Sequence, residues 1–205
     1  MDGPPLATRS KQPFSIERTP EYAEGKKAQR RVYEVFEDAG RLGRWADDAR
    51  AAWDFQVTNH KTQMVSMEVK SEDRKHKTGN LFIECFQGFP RHESGILITQ
   101  AQVQVHTLGP EGVAAFRSLH VQKWAQHQIK HEAKPTKAGD NHNMGFLLNR
   151  KYAAWKLSGA YWEGPLEQLI DASVMDEEKC RGTFPDAEPR PADGHWPDPH
   201  QLKLF

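Results

Sequence analysis

The 205-residue sequence has little of several features that would point to a protein class. It contains two cysteines, Cys85 and Cys180, which are too few and too differently placed to indicate a disulfide scaffold or a zinc site. No apolar run approaches the roughly 20 residues that a membrane-spanning helix needs. Nothing at the N-terminus reads as a signal peptide. We therefore expect a cytoplasmic protein with no membrane partner.

The chain also lacks a net charge, since 28 basic residues balance 28 acidic ones. The two signs are nevertheless unevenly placed: residues 161–205 contain ten acids and four Lys or Arg, which leaves 18 acids and 24 bases in residues 1–160. A basic body can neutralise phosphates and give salt-dependent affinity for nucleic acid. Any one basic cluster could equally be a solvated helix face, so charge alone leaves the partner open.

Length and composition predict a single folded domain between two polar ends, because 205 residues can bury one sizeable core but hardly two. Residues 1–17 are polar, contain three prolines and are expected to form a flexible arm. Residues 18–175 carry the periodic apolar patterns of a folded domain. Residues 176–205 are rich in proline and acids, a composition unlikely to pack a core.

Within that domain the patterns predict both helices and strands. Thr19 and Pro20 are suited to the start of a helix, and apolar residues recur at helical spacing as far as Ala39. The other predicted elements are strands at 53–58, 63–70, 80–87 and within 94–107, a helix at 111–129, a polar loop at 130–143 and a strand near 146–148.

The most informative residues are two acids and a lysine near the predicted second strand. Alternate side chains of a strand share a face, so Glu68 and Lys70 emerge together at the strand's end. A turn between the first two strands would bring Asp54 alongside Glu68. Two carboxylates so placed suit Mg²⁺, which prefers oxygen ligands. The alternative is that Glu68 and Lys70 form an ordinary solvated ion pair.

A wider string of motifs surrounds these residues. It consists of Trp53-Asp54, Met67 to Lys70, Lys77 to Glu84, Ser94 to Ile96 and Thr99 to Ala101. This string resembles the PD-(D/E)XK nuclease superfamily and, more narrowly, a branch found in phage and bacterial genomes that carries a Thr-Gly-Asn stretch before its third strand. The resemblance implies an α/β, restriction-endonuclease-like core with a central mixed sheet flanked by helices, built from a helix, a three-stranded meander, a second helix and a further strand.

The resemblance also implies an activity, namely Mg²⁺- or Mn²⁺-dependent hydrolysis of phosphodiester bonds in DNA, in replication, recombination or repair. Asp54 and Glu68 would bind the metal, the backbone carbonyl of Val69 would complete its shell, and Lys70 would be the catalytic lysine. RNA as the substrate, a module that binds without cutting, endonuclease against exonuclease action, and a homodimer all stay open at this point.

Further candidates surround these residues. Glu24 in the first helix could offer another acid to the metal, although an acid in a first turn is also favoured by the helix dipole. Glu84 shares a face of its strand with Phe82 and could line the same cleft as Glu68, either as a further acid of the metal site or as a partner for Lys70. Basic residues of two predicted loops are candidates for phosphate binding: Arg74, Lys75 and Lys77 beside the site, and Lys134 and Lys137 in the polar loop.

The last five residues carry a separate signal. They read Gln201-Leu202-Lys203-Leu204-Phe205 and resemble the short peptides by which bacterial DNA polymerases and repair proteins bind the replication sliding clamp. That resemblance implies that Gln201, Leu202, Leu204 and Phe205 would occupy a pocket on the clamp. Apolar anchors on a polar tether suit such recognition. The alternatives are chance and folding back onto the domain.

Overall fold

The computed structural model describes residues 20–41, 43–46, 53–72, 78–88, 91–109, 112–138, 143–157 and 159–180. Three sets of predictions therefore lie outside the described residues. They are the N-terminal arm at 1–17, the basic loop with Arg74, Lys75 and Lys77, and the clamp-binding-like peptide at 201–205.

The described chain forms three helices, ten strands and several short 3₁₀ turns. The helices are α1 (Pro20–Asp38), α2 (Ser118–Lys130) and α3 (Arg150–Lys156). The 3₁₀ turns span Gly95–Leu97, Leu166–Asp171, Ser173–Met175 and Glu177–Lys179. The strands are β1 (Gly43–Trp45), β2 (Phe55–Thr58), β3 (Met64–Ser71), β4 (Asn80–Gln87), β5 (His92–Glu93), β6 (Val103–Thr107), β7 (Val113–Arg117), β8 (Thr136–Ala138), β9 (Asn143–Asn149) and β10 (Tyr161–Gly164).

These strands form two sheets. The central sheet has the order β1-β2-β3-β6-β7-β10, and a second sheet has the order β5-β4-β9-β8. The central sheet is mixed, because β3 and β6 run parallel while its other neighbours are antiparallel. The structure thus confirms an α/β fold with a central mixed sheet flanked by helices.

Each face of the central sheet covers its own core. On one face, α1 buries Ala28, Val32 and Phe36 at the four-residue spacing that aligns side chains along a helix. They pack with Phe55 and Met67 from the sheet. On the other face, side chains of β4, α2, β9 and α3 form a second apolar cluster that includes Ile83, Trp124, Leu148 and Tyr152.

The predicted three-stranded meander contains a different set of strands from the one expected. It starts with β1 at residues 43–45 and continues through β2 and β3, whereas the expected third strand, β4, pairs with β9 in the second sheet. The edge of β3 that would have received β4 is taken by β6, with Val69 opposite Val105. Gly43–Trp45 is too short to show an alternating pattern, so the sequence did not reveal β1.

The predicted helix at 111–129 is correct only in its second part. Val113–Arg117 forms β7, all of whose residues are buried, because β7 lies inside the sheet with a core on either face. Such a strand reads as a continuous apolar run that periodicity cannot separate from a buried helix. The polar loop predicted at 130–143 likewise contains a short edge strand, β8.

The folded chain continues beyond the predicted domain end at 175. Asp176 is 1% exposed and Cys180 7% exposed, so residues 176–180 pack on the domain. Of the helices in the described ranges, none is both long and apolar enough to cross a membrane.

Candidate active site

Asp54 immediately precedes β2 and contacts β3 through its backbone and its side chain. Its backbone N–H donates to the Met67 carbonyl at 2.8 Å, and its Oδ2 accepts from the Val69 N–H at 2.7 Å. The antiparallel pairing of Phe55 with Met67 sets this register. The hairpin therefore fixes the Asp54 carboxylate beside the backbone that links Glu68 to Lys70.

The other carboxylate oxygen of Asp54 is held by helix α1. Gln29 donates through Nε2 to Asp54 Oδ1 at 2.8 Å. Burial raises the pKa of Asp54, and the charge of Glu68 adds to that effect; the Val69 N–H and the charges of Lys70 and Lys26 oppose it. Asp54 is thus a partly desolvated carboxylate whose two oxygens both accept hydrogen bonds.

Glu68 and Lys70 form a close pair on one face of β3. Lys70 Nζ lies 2.6 Å from Glu68 Oε1, and the two side chains are 36% and 14% exposed. Burial disfavours the charged lysine, but the attraction of Glu68, followed by those of Glu84 and Asp54, outweighs it and raises the pKa of Lys70. Lys70 is therefore held as an ammonium ion among carboxylates.

Glu84 reaches the same site from the second sheet. Its Oε1 accepts from the Ser94 hydroxyl at 2.8 Å and its Oε2 from the Asn143 side-chain amide at 3.0 Å. Its charge is one of those that raise the pKa of Lys70. The carboxylate is thus fixed by two neutral donors within electrostatic reach of Lys70, where the two sheets approach each other.

Glu24 lies elsewhere on α1. It is about half exposed and pairs with Lys27 at 3.0 Å, the arrangement of an ordinary surface pair one helical turn apart. The α1 side chain that contacts Asp54 is Gln29, which follows the buried Ala28 directly. The sequence did not reveal Gln29, because an amide is not an expected metal ligand. Its position beside the buried residues of α1 is the feature that could have identified it.

The backbone of Val69 also faces the site. In an extended strand the N–H and C=O of one residue point to the same edge, and the Val69 N–H points to Asp54. Pairing between β2 and β3 ends at Phe55 and Met67. The Val69 carbonyl therefore points past the start of β2, towards the side where the Asp54 carboxylate lies.

The groups named so far that could bind a metal ion all offer oxygen atoms. Among the described residues, no group of three or more His, Cys, Asp and Glu side chains is placed to hold a metal ion. The available set is therefore the Asp54 and Glu68 carboxylates with the Val69 carbonyl. Such a set fits a hard cation like Mg²⁺, which takes few protein ligands and keeps positions for water and phosphate.

A second acid of β3 lies just past the site and was not identified from the sequence. Glu72 is 5% exposed, and its Oε1 lies 3.1 Å from His106 Nδ1. The same oxygen accepts from the Phe82 N–H at 3.2 Å. This contact joins the end of β3 to β6 and to the start of β4, the strand that carries Glu84.

The two lysines predicted in the polar loop lie at the far side of the second sheet. Lys134 and Lys137 are exposed, and Lys137 belongs to β8, opposite Met144 of β9. Strand β9 separates β8 from β4. Lys137 therefore lies on the second sheet's outer edge, two strands from Glu84, and Lys134 lies two residues before that edge strand begins.

No family model matches the chain, and no curated protein matches it. Its fold is similar to the solved structure of a bacterial homing endonuclease, with a TM-score of 0.40 and 16% sequence identity. The match covers 49% of this chain and 70% of that one.

Proposed function

We propose that this chain is a divalent-metal-dependent nuclease of the restriction-endonuclease-like class that hydrolyses phosphodiester bonds in DNA. One observation carries the proposal: an Asp54 carboxylate oxygen is bonded to the backbone N–H of the residue between Glu68 and Lys70. That contact supports a site formed by two carboxylates and an ammonium ion near the C-terminal end of β3, an interior strand of the central sheet. A surface ion pair needs no such support from a neighbouring strand.

Asp54, Glu68 and the Val69 carbonyl would hold Mg²⁺ or Mn²⁺ in this proposal. The ion, when bound, would supply a water activated for attack and would neutralise charge on the phosphate. The two carboxylates differ in the protein groups that contact them. Asp54 is bound by Val69 and Gln29, whereas the partner of Glu68 is Lys70.

Lys70 has two tasks in the proposal. Before substrate binds, its ammonium group balances the negative charges of Glu68, Glu84 and Asp54, which raise its pKa. Opposite a phosphate, the same group would stabilise the negative charge that develops on the phosphoryl oxygens. Glu84 would position Lys70, because Ser94 and Asn143 hold that carboxylate in place.

The proposal is tested by incubating supercoiled, linear and branched DNA with the native chain, with Mg²⁺ or with a chelator. The same assays are run on Glu68→Gln, which keeps the side chain's shape and removes its charge. We expect cleavage by the native chain with Mg²⁺ alone and none by the variant. Glu167→Gln, at an exposed glutamate of a 3₁₀ turn, is the control and should cut normally.

Unchanged cleavage by Glu68→Gln would contradict the assignment of the site. DNA binding by both forms with no cleavage under any condition would instead favour a non-cleaving module. Parallel reactions with an RNA of the same sequence decide between the two substrates.

The C-terminal peptide adds a partner to the proposal, a bacterial DNA sliding clamp. Its apolar anchors, Leu202, Leu204 and Phe205, follow a polar stretch that would act as a tether. Deleting residues 201–205 should abolish co-elution with the clamp and leave cleavage of free DNA unchanged. Co-elution of the truncated chain would reject this part of the proposal.

A further inference from the structure

Two neighbouring cavities lie at the end of the central sheet where β3 and β6 begin. Their volumes are about 510 and 400 Å³, and both are lined by Gln102, Arg117 and Glu177. The larger continues along the β2–β3 hairpin past Met64. The smaller continues to the first turn of α2.

Arg117 and Ser118 give this cavity its chemical character. They are 6% and 4% exposed. Within the described part of the chain, Arg117 Nε and Ser118 Oγ have no hydrogen-bond partner, while the guanidinium of Arg117 also interacts with the Cys180 thiol. A buried polar atom without a partner costs about 1–3 kcal/mol. Arginine Nε is a donor only, so a ligand that satisfies it must bring an acceptor oxygen or nitrogen.

The start of α2 adds a second source of positive potential. The helix has thirteen residues, no side-chain cap and no acid in its first turn. Its first residues, Ser118, Leu119 and His120, line the cavity. The N-terminal end of a helix carries a partial positive charge and favours anions. Helix and arginine therefore select for the same sign of ligand charge.

One wall residue opposes that selection. The carboxylate of Glu177 carries a negative charge into both cavity walls. It must weaken the binding of any anion held by Arg117, and strengthen the binding of any cation. The effect of replacing Glu177 on ligand affinity therefore reports the sign of the ligand's charge.

The cavity is connected to the candidate active site through β3. Gln102 donates through its backbone N–H to Ser66 Oγ at 3.0 Å, and its Oε1 accepts from the Ser66 N–H at 3.0 Å. Ser66 lies two residues before Glu68 and four before Lys70 on the same strand. At ~3.3 Å per residue, Ser66 is roughly 13 Å from Lys70 along β3.

We propose that the cavity at the start of α2 binds a phosphate group of the nucleic-acid substrate, with Arg117 and Ser118 as its donors. The choice of nucleic acid rests on the function proposed above; the preference for an acceptor-rich anion rests on the cavity alone. The phosphate is either the 5′-phosphate of a strand end or an internal phosphodiester.

The first test uses inorganic phosphate as the probe and needs no metal. The thermal unfolding midpoint is measured against phosphate concentration at constant ionic strength in chloride buffer with chelator. Phosphate should raise the midpoint of the native chain. Ser118→Ala should weaken phosphate binding severalfold and Arg117→Gln by about tenfold, whereas Glu177→Gln should strengthen it.

Two features keep this test decisive. Glu177→Gln predicts a gain, which a variant that folds poorly cannot imitate. Lys123→Gln removes a positive charge from an exposed residue of the same helix that does not line the cavity, so it should leave phosphate binding unchanged. Equal phosphate binding by the native chain, Glu177→Gln and Ser118→Ala would overturn the proposal.

The second test identifies the source of the phosphate by binding labelled duplexes in chelator. Preference for a 5′-phosphorylated end over a 5′-hydroxyl end, lost in Ser118→Ala, assigns the cavity to strand ends. Equal binding of both duplexes, weakened alike by Ser118→Ala, assigns it to an internal phosphodiester. If none of the cavity variants alters duplex binding, the proposed phosphate site is wrong. The proposed nuclease activity would be unaffected by that result, because it is tested by cleavage and by Glu68→Gln.

Discussion

Two acid–base pairs near the C-terminal end of β3 differ in how exposed they are to solvent. Glu68 with Lys70 and Glu72 with His106 are both close contacts, at 2.6 and 3.1 Å. Lys70 is 36% exposed, whereas Glu72 and His106 are both buried. Lys70 and His106 are even direct neighbours in the parallel register of β3 and β6.

The difference separates two uses of the same kind of contact. A partly exposed pair is worth little to the fold but can exchange its partner for a substrate. A buried pair is costly to break, because the remaining group is left unpaired in the interior. In the proposed site, Glu68 and Lys70 would serve chemistry, while Glu72 and His106 join the end of β3 to β6 and β4 and so help to keep Glu84 within electrostatic reach of Lys70.

The largest effect is expected at the exposed pair. Lys70→Met should lower the cleavage rate by about 10²–10³-fold, the usual result of removing a group that stabilises developing charge. Its free energy of unfolding should change less than that of Glu72→Ala, because Lys70 is 36% exposed whereas Glu72 is buried. Single-turnover cleavage and urea denaturation measure the two quantities.

Lys61 provides the matched control for this variant. It is also 36% exposed and also paired with acids, Asp176 at 2.9 Å and Glu178 at 2.6 Å. Lys61→Met should leave cleavage unchanged. Equal loss of cleavage in both variants would mean that the net positive charge of the protein matters, and not the position of Lys70 beside Glu68.

The buried pair should show the opposite pattern. Glu72→Ala removes the partner of His106 Nδ1 and the acceptor of the Phe82 N–H, so the free energy of unfolding should fall by about 3 kcal/mol. Glu72→Gln keeps an acceptor oxygen and should lose less. Chemical denaturation measures both. Stability unaffected by Glu72→Ala would remove the distinction between the pairs.

A smaller effect is expected at the contact behind Asp54. Gln29→Ala removes the donor to Asp54 Oδ1 and should reduce cleavage by about tenfold, in the range found for groups that orient metal ligands. The loss should shrink at high Mg²⁺ concentration if it reflects weaker metal binding. Gln126→Ala, at an exposed position of α2, is the control. Full activity of Gln29→Ala at low Mg²⁺ would contradict a positioning role.

The contrast also explains how far the sequence could lead. Glu68 and Lys70 are local: strand alternation alone places them on one face, and the turn after β2 brings Asp54 alongside. Glu72 and His106 are 34 residues apart and meet because β6 pairs parallel to β3. No local pattern encodes that pairing, so the buried pair and the placement of β4 in a second sheet could not be predicted.

Gln29 and β7 were missed for other reasons. Gln29 lies next to the predicted buried stripe of α1, but its amide matches no expected metal ligand. The residues of β7 are buried on both faces, which removes the alternation that identifies a strand. The sequence thus predicts local features well and long-range pairing poorly.

The last and smallest effect concerns a third pair, Lys61 with Asp176, in which the acid is buried and the base is partly exposed. The hydrogen bond from Lys61 lowers the pKa of Asp176, and the Glu178 N–H and Lys179 act in the same direction against the effect of burial. A carboxylate with a lowered pKa in the folded state stabilises the fold above its unfolded pKa of about 3.9. That stabilisation is lost as the pH falls through the lower, folded value.

The unfolding midpoint of the native chain should therefore drop on acidification below about pH 4, and part of that drop should be missing in Asp176→Asn. The variant should be less stable than the native chain at pH 7, and the difference should narrow as the pH falls. Thermal unfolding between pH 7 and pH 2.5 measures it. A constant difference across that range would mean that Asp176 contributes through packing alone. The relation between burial and role would then hold only for the two pairs near the end of β3.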